Sequence, residues 1–354
     1  MKMKGNNMDK KRGIGIVTVY NSYNYGSILQ AKALYTALNE YGDVYFVNTG
    51  ARSITRQGIK EILRGIKTFN INRIRFESRR FAFFRNLRQE IPIISLEEAK
   101  ATCGVFVFGS DEIWNVGRKQ FSDFPIFWGD GLEGKKISYG PSINNTTEQE
   151  LKKGQWKRLL ASFDAISVRD LYSKNAIGKI TDTPIEVVVD PTMLLECDFE
   201  PISAHKGRHI ALYISDKKFS DKEKAIKLIK QFANNKKEVI VSLGLWTKWA
   251  DENFVDSHIP PFNYYAGADY VITNTFHGTV FAILQQKQFV AFVGRNRKIV
   301  ELLDMLNLNE RIVNEEMNIE QFNNILDGQI DYMTVNNSLN RIRTQSRDYL
   351  RDSL

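Results

Sequence analysis

Asp269-Tyr-Val-Ile-Thr-Asn-Thr-Phe-His277-Gly278-Thr-Val-Phe-Ala-Ile-Leu284 is the stretch on which the fold turns. Residues 270–273 form an apolar run of strand length, followed by a short polar turn. His277-Gly278 then opens an apolar segment with the look of a buried helix. A strand passing through a tight turn into such a helix is a unit of a parallel α/β sheet. The junction sets an imidazole beside backbone N–H groups at the carboxyl edge of the sheet, where open α/β folds bind ligands. Those N–H groups and the helix dipole favour an anion. A proton-transfer group next to an anion site suits chemistry on a phosphorylated substrate.

Outward from this junction, strand-like runs recur at 13–20, 44–47, 104–108, 136–139, 165–168, 186–189, 209–214, 238–242 and 289–293. Helical spacing falls at 27–41, with Ile28, Leu29, Ala33, Leu34, Ala37 and Leu38 on its apolar side. Further helices are expected at 147–161, from Asp170 onward, and at 219–234, 277–286, 297–306 and 319–328. The alternation predicts an α/β chain of two Rossmann-like, doubly wound domains facing each other across a cleft. The expected boundaries are 12–200 and 207–330, joined by a linker at 196–207 and followed by a helical tail at 331–354.

The 354 residues, 43% hydrophobic and 25% charged, suffice for two cores of this kind. No apolar run approaches the roughly 18–20 residues that span a bilayer. The start, Met1-Lys-Met-Lys-Gly-Asn-Asn-Met8, lacks the apolar centre of a signal peptide. Cys103 and Cys197 form no C-x-x-C pair, so a reduced cytoplasmic setting is expected. The net charge of +8 is concentrated: 52–88 carries eleven basic residues against Glu61 and Glu77, a net of +9. This helical insertion is either a surface for an anionic membrane or a lipid-phosphate-linked substrate, or a pair of solvated helices. No recognition motif accompanies the charge, so a nucleic-acid partner is not expected.

Four constellations could carry chemistry. Asn24-Tyr-Gly26-Ser27 joins the first strand to the first helix, as a ligand-binding turn or as a tight turn solving backbone geometry. It is not a dinucleotide fingerprint, because Gly13 and Gly15 do not follow the strand and Thr18 occupies the third glycine position. Gly109-Ser110-Asp111-Glu112-Ile-Trp114-Asn115 follows a buried strand. There Asp111 could orient or deprotonate a sugar hydroxyl and Trp114 could stack on the ring, with a helix cap at Ser110 or Asp111 as the other reading. Arg169 ends a strand in Ser167-Val-Arg169-Asp170, either as an anion fork or as the partner of a capping Asp170. The fourth is His277-Gly278 with Asn274 and Thr275, to which Arg295, Arg297 and Lys298 add cations after the next strand. Asp190-Pro191 is taken as a rigid turn at the same edge. No metal spacing and no nucleophile elbow occur in the sequence, and neither a metal nor an organic cofactor is expected.

Taken in order, these motifs resemble the polysaccharide pyruvyl transferase family from about residue 13 to 311. The match runs through Asn24-Tyr-Gly26-Ser27, Gly109-Ser-Asp111-x-x-Trp114-Asn115, Ser167-Val-Arg169-Asp170, Val189-Asp190-Pro191-Thr and Thr275-Phe-His277-Gly278. The resemblance implies a GT-B-like fold, phosphoenolpyruvate as donor and a saccharide acceptor, free or lipid-linked. By position it implies that His277 is the essential histidine and Arg169 the arginine after the mid-chain strand. A phosphate-contacting cation would lie between Arg295 and Lys298. Many family members carry an arginine just before the Phe/Leu-His pair, where this chain has Thr275, so Arg295 or Arg297 would have to replace it.

On that basis the first domain is expected to hold the acceptor, through Asn24, Gly26, Ser27, Ser110, Trp114 and Asn115. The second, with Arg169, would hold the donor through Asn274, Thr275, Gly278 and the 295–298 cations. His277 would protonate the donor methylene while Asp111 serves the attacking hydroxyl. The enzyme classes that compete are a nucleotide-sugar glycosyltransferase of the same fold and, outside catalysis, a polysaccharide-assembly partner that keeps the fold.

Overall fold

The computed structural model describes residues 13–50, 54–195, 202–294 and 296–354. Arg52, Cys197, Arg295 and half of the expected linker lie outside the described residues.

The first sheet is assembled from β1 (Gly13–Val17), β2 (Val44–Val47), β3 (Ile93–Ile94), β4 (Cys103–Phe108) and β5 (Lys135–Ser138). Its order is β3-β2-β1-β4-β5, with all neighbours parallel. A bridge between Ile137 and Ala165 extends it toward a parallel pair, β6 (Ile166–Val168) and β7 (Ile185–Val187). The second sheet contains β8 (His209–Tyr213), β9 (Val239–Leu243), β10 (Glu252–Phe254), β11 (Tyr270–Thr273), β12 (Gln288–Phe292) and β13 (Ile312–Val313). Its order is β10-β9-β8-β11-β12-β13, again all parallel. This is the doubly wound, two-sheet arrangement that the alternating pattern predicted, in the GT-B-like form that the family resemblance implied.

Helices cover both sheets. The first half carries α1 (Tyr25–Leu38), then α2 (Ile54–Lys67) and α3 (Ile71–Gln89), which fall on the basic insertion. The short helices α4 (Leu96–Thr102), α5 (Lys119–Ser122), α6 (Glu148–Lys152), α7 (Trp156–Leu160) and α8 (Leu171–Ile177) follow. One helix was expected at 147–161. Instead Gly154, at φ 81°, breaks it into α6 and α7, since that backbone region ends a right-handed helix. The second half carries α9 (Lys222–Lys236), α10 (Phe276–Leu284), α11 (Arg297–Met305) and α12 (Ile319–Asp327).

The last helix, α13 (Tyr332–Ser353), returns to the first half. Tyr349 donates to the Ser138 carbonyl at 2.8 Å, the Val189 N–H to Ser346 Oγ at 3.0 Å, and Arg343 Nε to the Met193 carbonyl at 2.6 Å. Thus the expected tail is an element of the first half's packing rather than an appendage.

Three apolar clusters follow from the layering. One fills the outer side of the first sheet around Trp114, Trp128 and Trp156. Another lies outside the second sheet around Phe232 and Phe322. The largest runs between the halves and joins Tyr25, Phe83 and Phe84 to Tyr213, Phe262 and Tyr265. Burying this shared face holds the two sheets in one relative position. No helix among the described residues is long and apolar enough to cross a membrane.

Candidate active site

In each sheet the strand order reverses at one point, between β1 and β4 and between β8 and β11. Loops leaving the carboxyl ends of those strands diverge and open a crevice. Residues 18–27 and 109–115 line the first crevice, and 214–221 and 274–278 the second. The two mouths face each other across a cleft of about 790 Å³.

A continuous polar chain crosses it. Ser27, in the first turn of α1, donates to Asp111 Oδ2 at 2.6 Å. Asp111 Oδ1 lies 3.6 Å from the Arg169 guanidinium, which donates to Asp190 Oδ2 at 2.7 Å and Ser110 Oγ at 3.3 Å. Asp190 Oδ1 ends the chain 3.6 Å from His277 Nε2. The side chain of Arg169 is 2% exposed, so its charge depends on these two carboxylates. Burial alone would raise the Asp190 carboxyl. His277, Arg169 and the Thr192 hydroxyl outweigh burial and hold it well below the usual carboxylate range.

His277 is clamped between the halves. The Cβ that any other residue would place at Gly26 would fall 2.1 Å from His277 Nδ1, so the glycine lets α1 touch the ring. Nε2 is buried without a hydrogen-bond partner, and Nδ1 is the ring nitrogen turned toward Gly26. Phe276 packs at right angles to the imidazole, and the Arg169 guanidinium carbon sits 5.2 Å from the Phe276 ring centre.

One wall of the cleft is cationic: Arg118, Lys217, Lys218, Arg297 and Lys298 line it. Glu112 offsets part of this charge through Lys298 and Arg118, the latter at 3.4 Å, and accepts a hydrogen bond from Asn144 Nδ2 at 2.9 Å. Burial would raise the Glu112 carboxyl, but Lys298 and its neighbours lower it to about 2. Lys218 forms no ion pair among the described residues. Burial, reinforced by the Lys298 charge, pushes its ammonium down to about 8. Arg297 stacks 3.7 Å above the Tyr172 ring centre. No group of three or more His, Cys, Asp or Glu that could hold a metal occurs among the described residues.

The structure brings together Asn24, Ser27, Asp111, Arg169, Thr275, His277, Arg297 and Lys298 around the cleft. It places others elsewhere. Trp114 is fully buried, donates to the Phe127 carbonyl at 3.0 Å and stacks 5.2 Å from Trp128, so it packs a core and cannot stack on a sugar. Asn115 accepts from Thr146 Oγ1 and the Gly117 N–H, which fixes a turn. Ser110 is buried and donates to the Gly140 carbonyl, so it supports Arg169 rather than an acceptor. Asn274 is consumed by two hydrogen bonds with the Ser215 backbone, which tie the turn after β11 to the loop after β8. The Gly278 N–H is taken by its cap Thr275 Oγ1 at 3.0 Å and is not free for an anion. Gly278 has a steric reason instead, because a Cβ there would lie 2.2 Å from Thr273 Oγ1. Lys298 is engaged by Glu112.

Sequence reasoning missed Asp190, Glu112 and Lys218 as site residues. All three follow strands at the ligand edge, which was the one available signal.

Comparison with known proteins agrees with this architecture. Arabidopsis thaliana UGT89C1 complexed with UDP-L-rhamnose superposes with a TM-score of 0.52 at 10% identity, covering 96% of this chain and 94% of that one. A putative UDP-N-acetylglucosamine 2-epimerase from Listeria monocytogenes gives 0.51 at 9% identity, covering 94% and 91%. At such identities the likeness concerns the fold alone. No curated protein sequence matches significantly. The family model for polysaccharide pyruvyl transferase matches residues 24–296, from the Asn24 cap to the start of α11, and the chain belongs to the polysaccharide pyruvyl transferase family.

Proposed function

We propose that the chain transfers a pyruvyl group from phosphoenolpyruvate to two hydroxyls of a saccharide, forming a ketal and releasing inorganic phosphate during cytoplasmic assembly of a cell-surface polysaccharide. The observation that carries this reading is the Ser27–Asp111–Arg169–Asp190–His277 chain lying beside an anion-ready wall. The donor phosphate sits against Lys218 and Arg297, with Lys298 available once it exchanges Glu112 for phosphate. Asp190 steadies the imidazolium through Nε2, and His277 passes the Nδ1 proton to the donor methylene, which becomes a methyl group. The cation left at C2 is attacked by a sugar hydroxyl whose proton goes to Asp111. The C2–O bond to phosphate then breaks with both electrons leaving on the phosphate, and a second hydroxyl attacks the C2 cation so formed, its proton returning to His277 Nδ1. The cationic wall stabilises that departing charge.

Incubation of the protein with phosphoenolpyruvate and a panel of free and lipid-linked saccharides tests the proposal. The expected result is phosphate release matched by a product heavier by one pyruvyl ketal. Consumption of a nucleotide sugar, with phosphoenolpyruvate untouched, would overturn it in favour of glycosyl transfer.

A further inference from the structure

The helix pair of the basic insertion is built unlike the other helices of the chain. α2 meets α3 through its two glycines: a Cβ at Gly58 would fall 2.2 Å from the Phe81 ring, and one at Gly65 2.8 Å from Ile74 Cγ1. The glycine face is therefore the packed face, and the large apolar side chains are turned outward. Ile59, Leu63 and Ile66, spaced i, i+4 and i+7, form one stripe and are each 48% exposed. The stripe runs into the turn at the end of the hairpin, where Phe69 is 90% exposed and Ile71 64%. At 3.6 residues per turn, Lys60 and Lys67 lie on the flank of that stripe.

Their charge is not spent inside the protein. Glu61 holds Arg64 and Arg73, and Glu77 holds Arg80. Lys60, Lys67, Arg75 and Arg79 form no ion pair among the described residues. An apolar ridge ending in an exposed phenylalanine and flanked by unneutralised cations is complementary to an anionic bilayer surface, which offers acyl chains below and phosphate above.

We propose that the α2–α3 hairpin docks this protein on an anionic membrane, with Leu63, Ile66, Phe69 and Ile71 entering the headgroup boundary and the adjoining lysines and arginines meeting lipid phosphates. The placement has a consequence for the cleft. The Tyr23 N–H donates to Gln57 Oε1 on α2 at 3.2 Å, and Arg80 of α3 lines the cleft itself. The hairpin thus joins the acceptor side of the cleft to the surface it docks on, and a lipid-carried saccharide would be presented there. That consequence rests on the pyruvyl-transfer reading; the docking does not.

Co-sedimentation of the full chain with phosphatidylglycerol vesicles and with phosphatidylcholine vesicles tests the docking. Wild type should bind the anionic vesicles at low salt, bind the neutral ones at least about tenfold more weakly, and lose affinity as salt rises. The double variant Leu63→Asp/Phe69→Asp should bind at least about tenfold more weakly than wild type while melting at the same temperature, since both side chains are exposed. Equal binding by wild type and variant, or no binding by wild type, overturns the proposal. So does a wild-type dimer without vesicle binding that the variant dissociates, since a second copy would then cover the stripe.

Discussion

At the scale of single residues, Gly26 of one half packs directly against the imidazole of His277 from the other. Gly26→Ala would drive a methyl carbon to 2.1 Å from Nδ1, so either the ring or α1 must move. Turnover should fall by at least about a hundredfold, as expected when an acid is misplaced by an ångström or less. The added methyl overpacks a buried contact, so the melting temperature should fall modestly even though the Asn24 cap is untouched; unchanged kcat would show that the contact is incidental. His277→Gln removes the transferable proton and should cost roughly 10²–10⁴ in kcat, with donor affinity retained. Lys218 adds a pH dependence. A cation that titrates near 8 binds phosphate below that value and loses its charge above it, so KM for phosphoenolpyruvate should climb as pH passes through about 8. In Lys218→Arg the climb should move well to the alkaline side; an unmoved profile assigns it to another group. The stability contribution runs the other way. The unfolded lysine keeps its proton to about 10.5, so between about 8 and 10.5 this group makes the ligand-free fold more stable as pH rises. His277, Asp111 and Arg169 were legible because each follows an apolar strand. Asp190 was not, because its neighbour Pro191 offered a sufficient structural reason for the turn. Trp114 was misjudged because its partners Trp128 and Trp156 lie in separate segments, and no local pattern records that they share a core.

At the scale of elements, the strands that periodicity located include all the central ones, such as β1, β4 and β8, which are largely buried and continuously apolar. The ones it passed over, β3, β10 and β13, have only two or three residues and sit at or near sheet edges, where neither length nor burial leaves a signal. Helix α13 shows the same limit in another form: its helicity was legible, but its docking on the first half was not. That docking rests on Val335, Leu339, Tyr349 and Leu350, all buried, and on hydrogen bonds to the Ser138 and Met193 carbonyls. Leu350→Ala should therefore destabilise the fold by roughly 2–5 kcal/mol. Tyr349→Phe, which removes one buried hydrogen bond, should cost about 1 kcal/mol. Chemical unfolding followed by tryptophan fluorescence would measure both, because the buried tryptophan cluster lies in the half that α13 braces. If both variants unfold like wild type, the helix is a passive cover.

At the scale of the whole molecule, the two halves are tied across the cleft by charge as well as by their shared apolar core. The Leu171 N–H of α8 donates to Glu301 of α11 at 2.8 Å, and Glu112, from the loop after β4, pairs with Lys298 of α11. On the pyruvyl-transfer reading the second tie would compete with donor binding, because Glu112 sits among the cations that a donor phosphate would use. Its carboxylate offers that cluster the same kind of acceptor as a phosphate oxygen, and in the ligand-free protein it relieves the repulsion between Lys298, Arg118 and Lys218. Removing the charge has two opposed effects on a like-shaped side chain. Glu112→Gln leaves Lys298 unpaired and weakens the link between the halves, so the melting temperature should drop. The same change frees a cation and lowers the entry cost of a dianion, so KM for phosphoenolpyruvate should fall several-fold at pH 7. Lys218 should titrate lower still, since Glu112 is the group that holds its proton on. The alkaline rise in KM would then begin at a lower pH than in wild type. Thermal melting and a pH series of KM, run on the same variant, separate these effects. A lower melting temperature with unchanged KM would mean that Glu112 only joins the halves, whereas both shifts together would mean that one carboxylate holds the empty cleft in register and yields its place to the donor.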